Sequence, residues 1–248
     1  MFTKSALISL IAGFAIAACA EPPEGHKLAW SDEFNGATLD LSKWNYRLDS
    51  RLMSVQKKEN VSVSNGVLRL ELKKEPAGKL NFTAGGVISK QLFKYGYYEA
   101  RFKCPPTKGW HTSFWMMRYG GAGGKSKSDA VQELDVCEND SIDPRSYSVN
   151  LHRHNPKPHK GFGAKRVKTP DLSADFHVWG CEFTEKEIKY YFDGKLVQTI
   201  DATQISHGEQ NVWLTTVGGD PGKTYEPDDS RLPVFAEFDW VRVYERKE

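Results

Sequence analysis

Net charge is nearly absent from this 248-residue chain: 34 Lys and Arg stand against 32 Asp and Glu, leaving +2. A dedicated nucleic-acid binder needs a strong basic excess, so that class is set aside. No apolar run reaches the roughly 18 residues that a membrane-spanning helix requires. Cysteine is scarce, with four in all. Beyond Cys19 there are only Cys104, Cys137 and Cys181, an odd number with no C-x-x-C spacing. That excludes a fully paired disulfide scaffold and argues against a zinc centre. Each of the three lies in an apolar stretch, where a buried free thiol is the expectation. Helical periodicity is almost missing, and no internal repeat is visible. What the chain has instead is turns and rings: 21 Gly, 12 Pro, 7 Trp, 10 Tyr and 13 Phe. This is the composition of a turn-rich β protein, long enough for one domain. The aromatics serve either a core or a groove for sugar rings.

The N-terminus reads as an address. Lys4 precedes an almost wholly apolar stretch from Ala6 to Ala18, which ends Ile16-Ala17-Ala18-Cys19. Such a segment is a secretory h-region, short for a membrane span. Small residues before a cysteine resemble the lipobox of a bacterial lipoprotein. Residues 1–18 are therefore expected to be a signal peptide, Cys19 the lipidated residue and 19–26 a tether. Ala20 in second place points to the outer membrane of the cell envelope. Residues 27–248 form the remaining domain.

Strand patterns fill that domain. Val61, Val63, Leu68, Leu70 and Leu72 alternate with polar residues on either side of Asn65-Gly66. Asn-Gly suits a type I′ hairpin, because both turn positions need positive φ. A second hairpin is expected at Asp193-Gly194, between Ile188–Phe192 and Leu196–Ile200. Tyr95–Phe102, Trp213–Val217 and Val234–Tyr244 are further strands, and Asp201–Ser206 a single turn. Gly120–Ser128 reads as a loop. Hairpins with alternating faces imply an all-β fold of two packed antiparallel sheets.

The sharpest chemical feature is Glu133-Leu134-Asp135-Val136-Cys137-Glu138. Residues i and i+2 of a strand share a face, so Glu133 and Asp135 point together. A regular strand would turn Glu138 away; one extra residue between Asp135 and Glu138, a β-bulge, brings it back. Three acids on one face repel one another, a cost best tolerated where they act. Upstream lies Trp110-His111-Thr112-Ser113-Phe114-Trp115-Met116-Met117. Aromatics beside paired carboxylates suit a sugar, whose CH faces stack on indole while acids flank the glycosidic oxygen.

Taken together, these motifs resemble glycoside hydrolase family 16, the laminarinase, agarase, carrageenase and porphyranase clan. The landmarks are Trp30-Ser31-Asp32-Glu33-Phe34-Asn35-Gly36, Lys43-Trp44, Glu59-Asn60-Val61, Tyr95 to Arg101, Phe114-Trp115-Met116, the acid cluster, Asp175 to Gly180 and Phe238 to Tyr244. The resemblance covers about residues 28 to 245. It implies a concanavalin-like β-jelly roll with a concave substrate cleft and a retaining mechanism. Glu133 would be the nucleophile, Glu138 the general acid/base, and Asp135 would hold the nucleophile's charge state. Retaining geometry asks for carboxyl groups about 5–5.5 Å apart. No cofactor is implied for catalysis. Some members carry a structural calcium ion on the convex face, and Glu33 and Asp239 match such positions.

Substrate contacts follow from the same comparison. Trp115 resembles the tryptophan beside the attacked sugar, with Trp110 as a second platform and Trp213 on the far wall. Where laminarinases have Trp-Pro, this chain has Trp110-His111-Thr112, which turns the expectation away from laminarin. His152 resembles a sugar-contacting histidine; His154 shares its face, and Arg153 lies between them. From Ile142 to Lys168 seven Lys and Arg (Arg145, Arg153, Lys157, Lys160, Lys165, Arg166, Lys168) meet one acid, Asp143. A basic rim of this kind would attract a sulfated polymer. The expectation is a monomeric, secreted, endo-acting glycoside hydrolase of polysaccharides, with β-galactan first and β-1,3-glucan second. A non-catalytic lectin or a transglycosylase on the same fold are the alternatives.

Overall fold

The computed structural model describes residues 23–118, 131–219 and 225–247. The signal segment, Cys19 and the Gly120–Ser128 loop lie outside the described residues. Two sheets make the fold, as the alternating patterns required. One has seven strands among the described residues, in the order Lys160–Lys168, Ser146–Asn155, Val131–Asp140, Trp110–Met117, Asn211–Gly218, Gly86–Ser89 and Trp44–Tyr46. The other centres on Gly96–Lys103, flanked by His177–Phe183 and the long Val234–Arg246. Pairing is antiparallel throughout, except where Ser54–Gln56 runs parallel to Leu80–Ala84. No strand-linking helix is needed in such a meander, and one short 3₁₀ segment, Lys58–Asn60, is the helical element described.

The hairpin signals are borne out in backbone angles. Asn65 and Gly66 have φ of 54° and 73°, Asp193 and Gly194 47° and 74°. Both residues of each turn are left-handed, as a type I′ turn demands. Asp201–Ser206 closes one turn, with Ile205 N–H donating to the Ala202 carbonyl at 3.2 Å.

Between the sheets lies one continuous apolar core. Phe102 stacks on Trp179 at 3.9 Å and on Phe238 at 4.7 Å, joining the three central strands of the second sheet. From the first sheet, Phe114, Met116, Leu134, Val136, Cys137, Leu151 and Leu214 point into the same core. Burying side chains of this size contributes about 1.5–3 kcal/mol each. Cys104, Cys137 and Cys181 are free and buried within it, and burial pushes each thiol up, leaving them inert. The opposite face of the seven-stranded sheet is therefore left to carry polar chemistry.

Candidate active site

The bulge forms at the expected place. Trp115 pairs with Asp135 and Phe114 with Cys137, so two residues of one strand face three of the other and Val136 is the extra one. Val136 and Cys137 both enter the core, while Glu133, Asp135 and Glu138 emerge together on the open face. They line a cavity of about 390 Å³ with His111, Ser113, Trp115, His154, Trp213 and Thr215. The side chain of Asp135 is 2% exposed, whereas those of Glu133 and Glu138 are 22% and 28% exposed. The central acid is sealed and its two neighbours face the cavity.

The three acids have different surroundings. Burial raises the Asp135 carboxyl well above its ordinary value, and the charges of Glu138 and Glu133 add to that. Asp135 is thus the group that retains a proton, which it shares with Glu133 in a hydrogen bond. Burial also works to raise Glu133, but the His154 imidazole bonded to its Oε2 and the neighbouring His152 outweigh it, and Glu133 is held below the usual range. An ionised Glu133 beside a protonated Asp135 is the charge distribution a carboxylate nucleophile needs. His152 stands 3.3 Å from Asp135 Oδ2 and accepts at Nε2 from the Asn150 amide at 2.9 Å. Burial lowers its pKa, with the charge of Glu133 opposing. His159 stacks on both His152 and His154, with ring centroids 5.1 and 4.9 Å apart.

The aromatic wall is built by cross-strand register. Trp115 pairs with Trp213, and their rings stack at 4.5 Å and 28°. Trp115 Nε1 donates to Thr215 Oγ1 at 3.0 Å, and Trp213 Nε1 to the Met117 carbonyl at 2.8 Å. Both indoles are fixed before any sugar arrives.

Three expected contacts do not line the cavity: His152, which is turned to Asp135 and Asn150 instead, Trp110 and Arg153. Trp110 is 1% exposed and packs edge-on against Phe82 at 5.9 Å, in a small core with Leu72 and Ala84. The period of two explains it: His111, Ser113 and Trp115 take the open face, so Trp110 takes the other. Arg153 likewise points away from His152 and His154, and its Nη1 donates to the Gln204 carbonyl at 3.3 Å. The basic segment is placed at the sheet edge rather than the cavity. Lys165 reaches the Val197 carbonyl, Arg166 pairs with Asp143 and Lys160 with Gln204. None of its seven cations lines the cavity among the described residues.

The cations that do line it are Arg47 and Arg51, with Asp49 between them. Arg47 bonds Asp49 at 2.6 and 3.0 Å and lies over the Trp213 ring at 5.7 Å. Nothing in the local sequence marks them; Arg47 arrives because Trp44–Tyr46 pairs with Gly86–Ser89, which pairs with the Trp213 strand, and Arg51 because Ser50–Arg51 pairs with Ser54–Gln56. The calcium expectation meets a different obstacle. Arg242 takes both oxygens of Glu33 at 2.9 Å, and Arg101 pairs with Asp239. Each carboxylate is neutralised by its own guanidinium, so the two do not form a shared donor set for the ion.

A two-sheet jelly roll with a carboxylate trio and stacked tryptophans on its open face has the architecture of the carbohydrate-active β-sandwiches. Residues 27–246 match the beta-porphyranase A–D domain of glycoside hydrolase family 16, and the chain belongs to that family. It is 31% identical to beta-porphyranase B of Phocaeicola plebeius, over 74% of this chain and 71% of that protein. It is 26% identical to a beta-glucanase of Rhodothermus marinus, over 88% of this chain and 85% of that protein. Among solved structures it superposes on the catalytic domain of an endo-1,3-beta-glucanase (laminarinase) from Thermotoga petrophila with a TM-score of 0.77. That match has 26% identity and covers 90% of this chain and 99% of the other.

Proposed function

We propose that the chain is a retaining, endo-acting glycosidase of a β-galactan, with a sulfated algal-type polymer as first substrate class. The observation that carries this reading is the bulge at Val136, which gathers three carboxylates beside the Trp115–Trp213 wall. Glu138 donates its proton to the glycosidic oxygen as Glu133 attacks the anomeric carbon and forms a glycosyl ester. Glu138 then takes a proton from the water that opens the ester. Protonated Asp135 hydrogen-bonds Glu133 and keeps its charge localised. Galactan is favoured over glucan by the porphyranase family match and by Arg51 in the cavity, Arg47 being matched by Asp49. Cys19 is read as the lipid anchor of an envelope enzyme, and Cys19→Ser should move the protein from membrane to soluble fractions.

The test is release of reducing ends from porphyran, agarose, κ-carrageenan, laminarin and mixed-linkage glucan. Glu138→Gln should cost about 10²–10⁴-fold, and Glu133→Gln should leave no measurable turnover. Either variant working at the wild-type rate would overturn the assignment. New ends on laminarin alone would keep the mechanism and replace the substrate class with β-1,3-glucan, the specificity of the laminarinase whose fold this chain shares.

A further inference from the structure

One polar pair in the cavity has no part in the scheme above. His111 is buried on the open face, next to the bulge. Its Nδ1 lies 2.6 Å from Asp140 Oδ1 and its Nε2 lies 3.5 Å from Glu138 Oε1. Strand register places it there: His111 pairs with Asp140, and Ser113 with Glu138. An imidazole with a carboxylate on each nitrogen has a donor role on both sides, so it is held as a cation whose ring orientation is fixed by Asp140.

We infer that His111, anchored by Asp140, is a positioning residue that holds one oxygen of Glu138 and stabilises that carboxylate once it has given up its proton. This rests on the reading of Glu138 as the acid/base. With Oε1 directed at His111, Oε2 is the oxygen left to exchange a proton with the leaving group and then with water. His111 keeps its own proton through both steps. A fixed positive charge beside Glu138 stabilises the carboxylate that the first proton transfer leaves behind, the form that accepts a proton from water in the second step. Burial opposes a charge on His111, but Asp140 and Glu138 prevail and push its pKa up to about 9. It therefore stays cationic across the neutral range. The other groups on its surroundings are Ser113 on its own strand, Thr215 and Val217 on the neighbouring strand, and Arg47, Asp49 and Arg51 from the segment that closes the cavity. Of these, Arg47 is already matched by Asp49.

The experiment compares His111→Gln, which keeps a donor without the charge, with Asp140→Asn and the wild type. Turnover of a cleaved polysaccharide is measured against pH. In His111→Gln the basic limb of kcat/KM should move up by about one pH unit, with KM changed less than about twofold. Asp140→Asn should move it in the same direction and by less. A limb that superposes on the wild type, or a raised KM with unchanged kcat, would make His111 a sugar contact and overturn the inference. A second readout needs no turnover: by NMR the His111 imidazole should titrate far above the ordinary histidine range. It should fall towards that range in Glu138→Gln and Asp140→Asn. A wild-type imidazole titrating near 6.5 would overturn the inference. Full activity of Glu138→Gln with His111 titrating high would instead sink the acid/base assignment and leave the charged pair standing.

Discussion

Replacing Glu99 by glutamine should change how stability depends on pH, and the size of the effect follows from the structure. Glu99 sits on the central strand of the second sheet, fully buried, on the face away from the core. Tyr244 Oη donates to its Oε1 at 2.9 Å, and its Oε2 has no hydrogen-bond partner among the described residues. Burial is the largest cause that raises it, with Glu33 adding and Tyr244 and Arg242 opposing, and the carboxyl is pushed up to about 7. In the unfolded chain the same group titrates at its ordinary value of 4.5. Below 4.5 both states hold the proton and stability is intact. As pH rises to about 7 the unfolded chain releases it first, so the folded state loses ground, and above 7 the loss is complete. That gap corresponds to about 3 kcal/mol. Glutamine keeps the shape and the acceptor for Tyr244 without the titration. Thermal melts of both proteins at pH 4, 5, 6, 7 and 8 would therefore diverge as pH rises. For a domain of this size the difference in Tm should grow by about 6–12 °C between pH 4 and pH 8. A difference that stays constant over that range would refute the buried, late-titrating carboxyl.

The remaining predictions separate neighbours that sequence alone treats alike. Trp115→Ala should raise KM by about tenfold through loss of a stacking surface, with little change in Tm, read by initial rates and melting. Trp110→Ala should do the reverse, lowering stability by about 3–5 kcal/mol while KM of the folded enzyme stands. Equal effects on KM would show that Trp110 reaches the substrate after all. Gly180→Ala places a methyl 2.2 Å from the Tyr97 hydroxyl. Because Tyr97 is wedged against Tyr191 and Tyr244, that should cost about 1–3 kcal/mol in denaturant unfolding.

The parts of the molecule that sequence made legible are those governed by local rules. Asn65-Gly66 and Asp193-Gly194 announce their turns because few other dipeptides accept left-handed angles twice in succession. Glu133, Asp135 and Glu138 were readable because a two-residue period, broken once, admits few solutions. What stayed hidden depends on which strand lies beside which. Trp110 and Trp115 are both tryptophans in one apolar run, and only the parity of the strand separates core from cavity. Arg47 and Arg51 come from a segment more than 60 residues before Trp115 in the chain, brought in by the pairing of Trp44–Tyr46 with Gly86–Ser89 and of Ser50–Arg51 with Ser54–Gln56. The seven cations after Ile142 looked like a cleft rim because they follow the acid strand, yet the hairpin they occupy turns outward to the sheet edge and finds its partners there. Glu99 alternates like an exposed residue, but Tyr97 and Tyr244 on the same face close it over.

One residue joins the fold to the site. Val136 adds nothing to the cavity by its own chemistry, yet it decides what the cavity contains. Were Val136 held in a regular strand instead of a bulge, the two-residue period would send Cys137 to the open face with Glu133 and Asp135, and Glu138 to the core, leaving a charge buried at a cost of several kcal/mol. With the bulge, two apolar side chains in succession enter the core, and the next acid returns beside the first two. The mutual repulsion of three carboxylates is then met locally, by a proton on Asp135 and by imidazoles against Glu133 and Glu138. The bulge and the flanking histidines form one device, in which backbone irregularity supplies the position and the imidazoles make the concentration of charge tolerable.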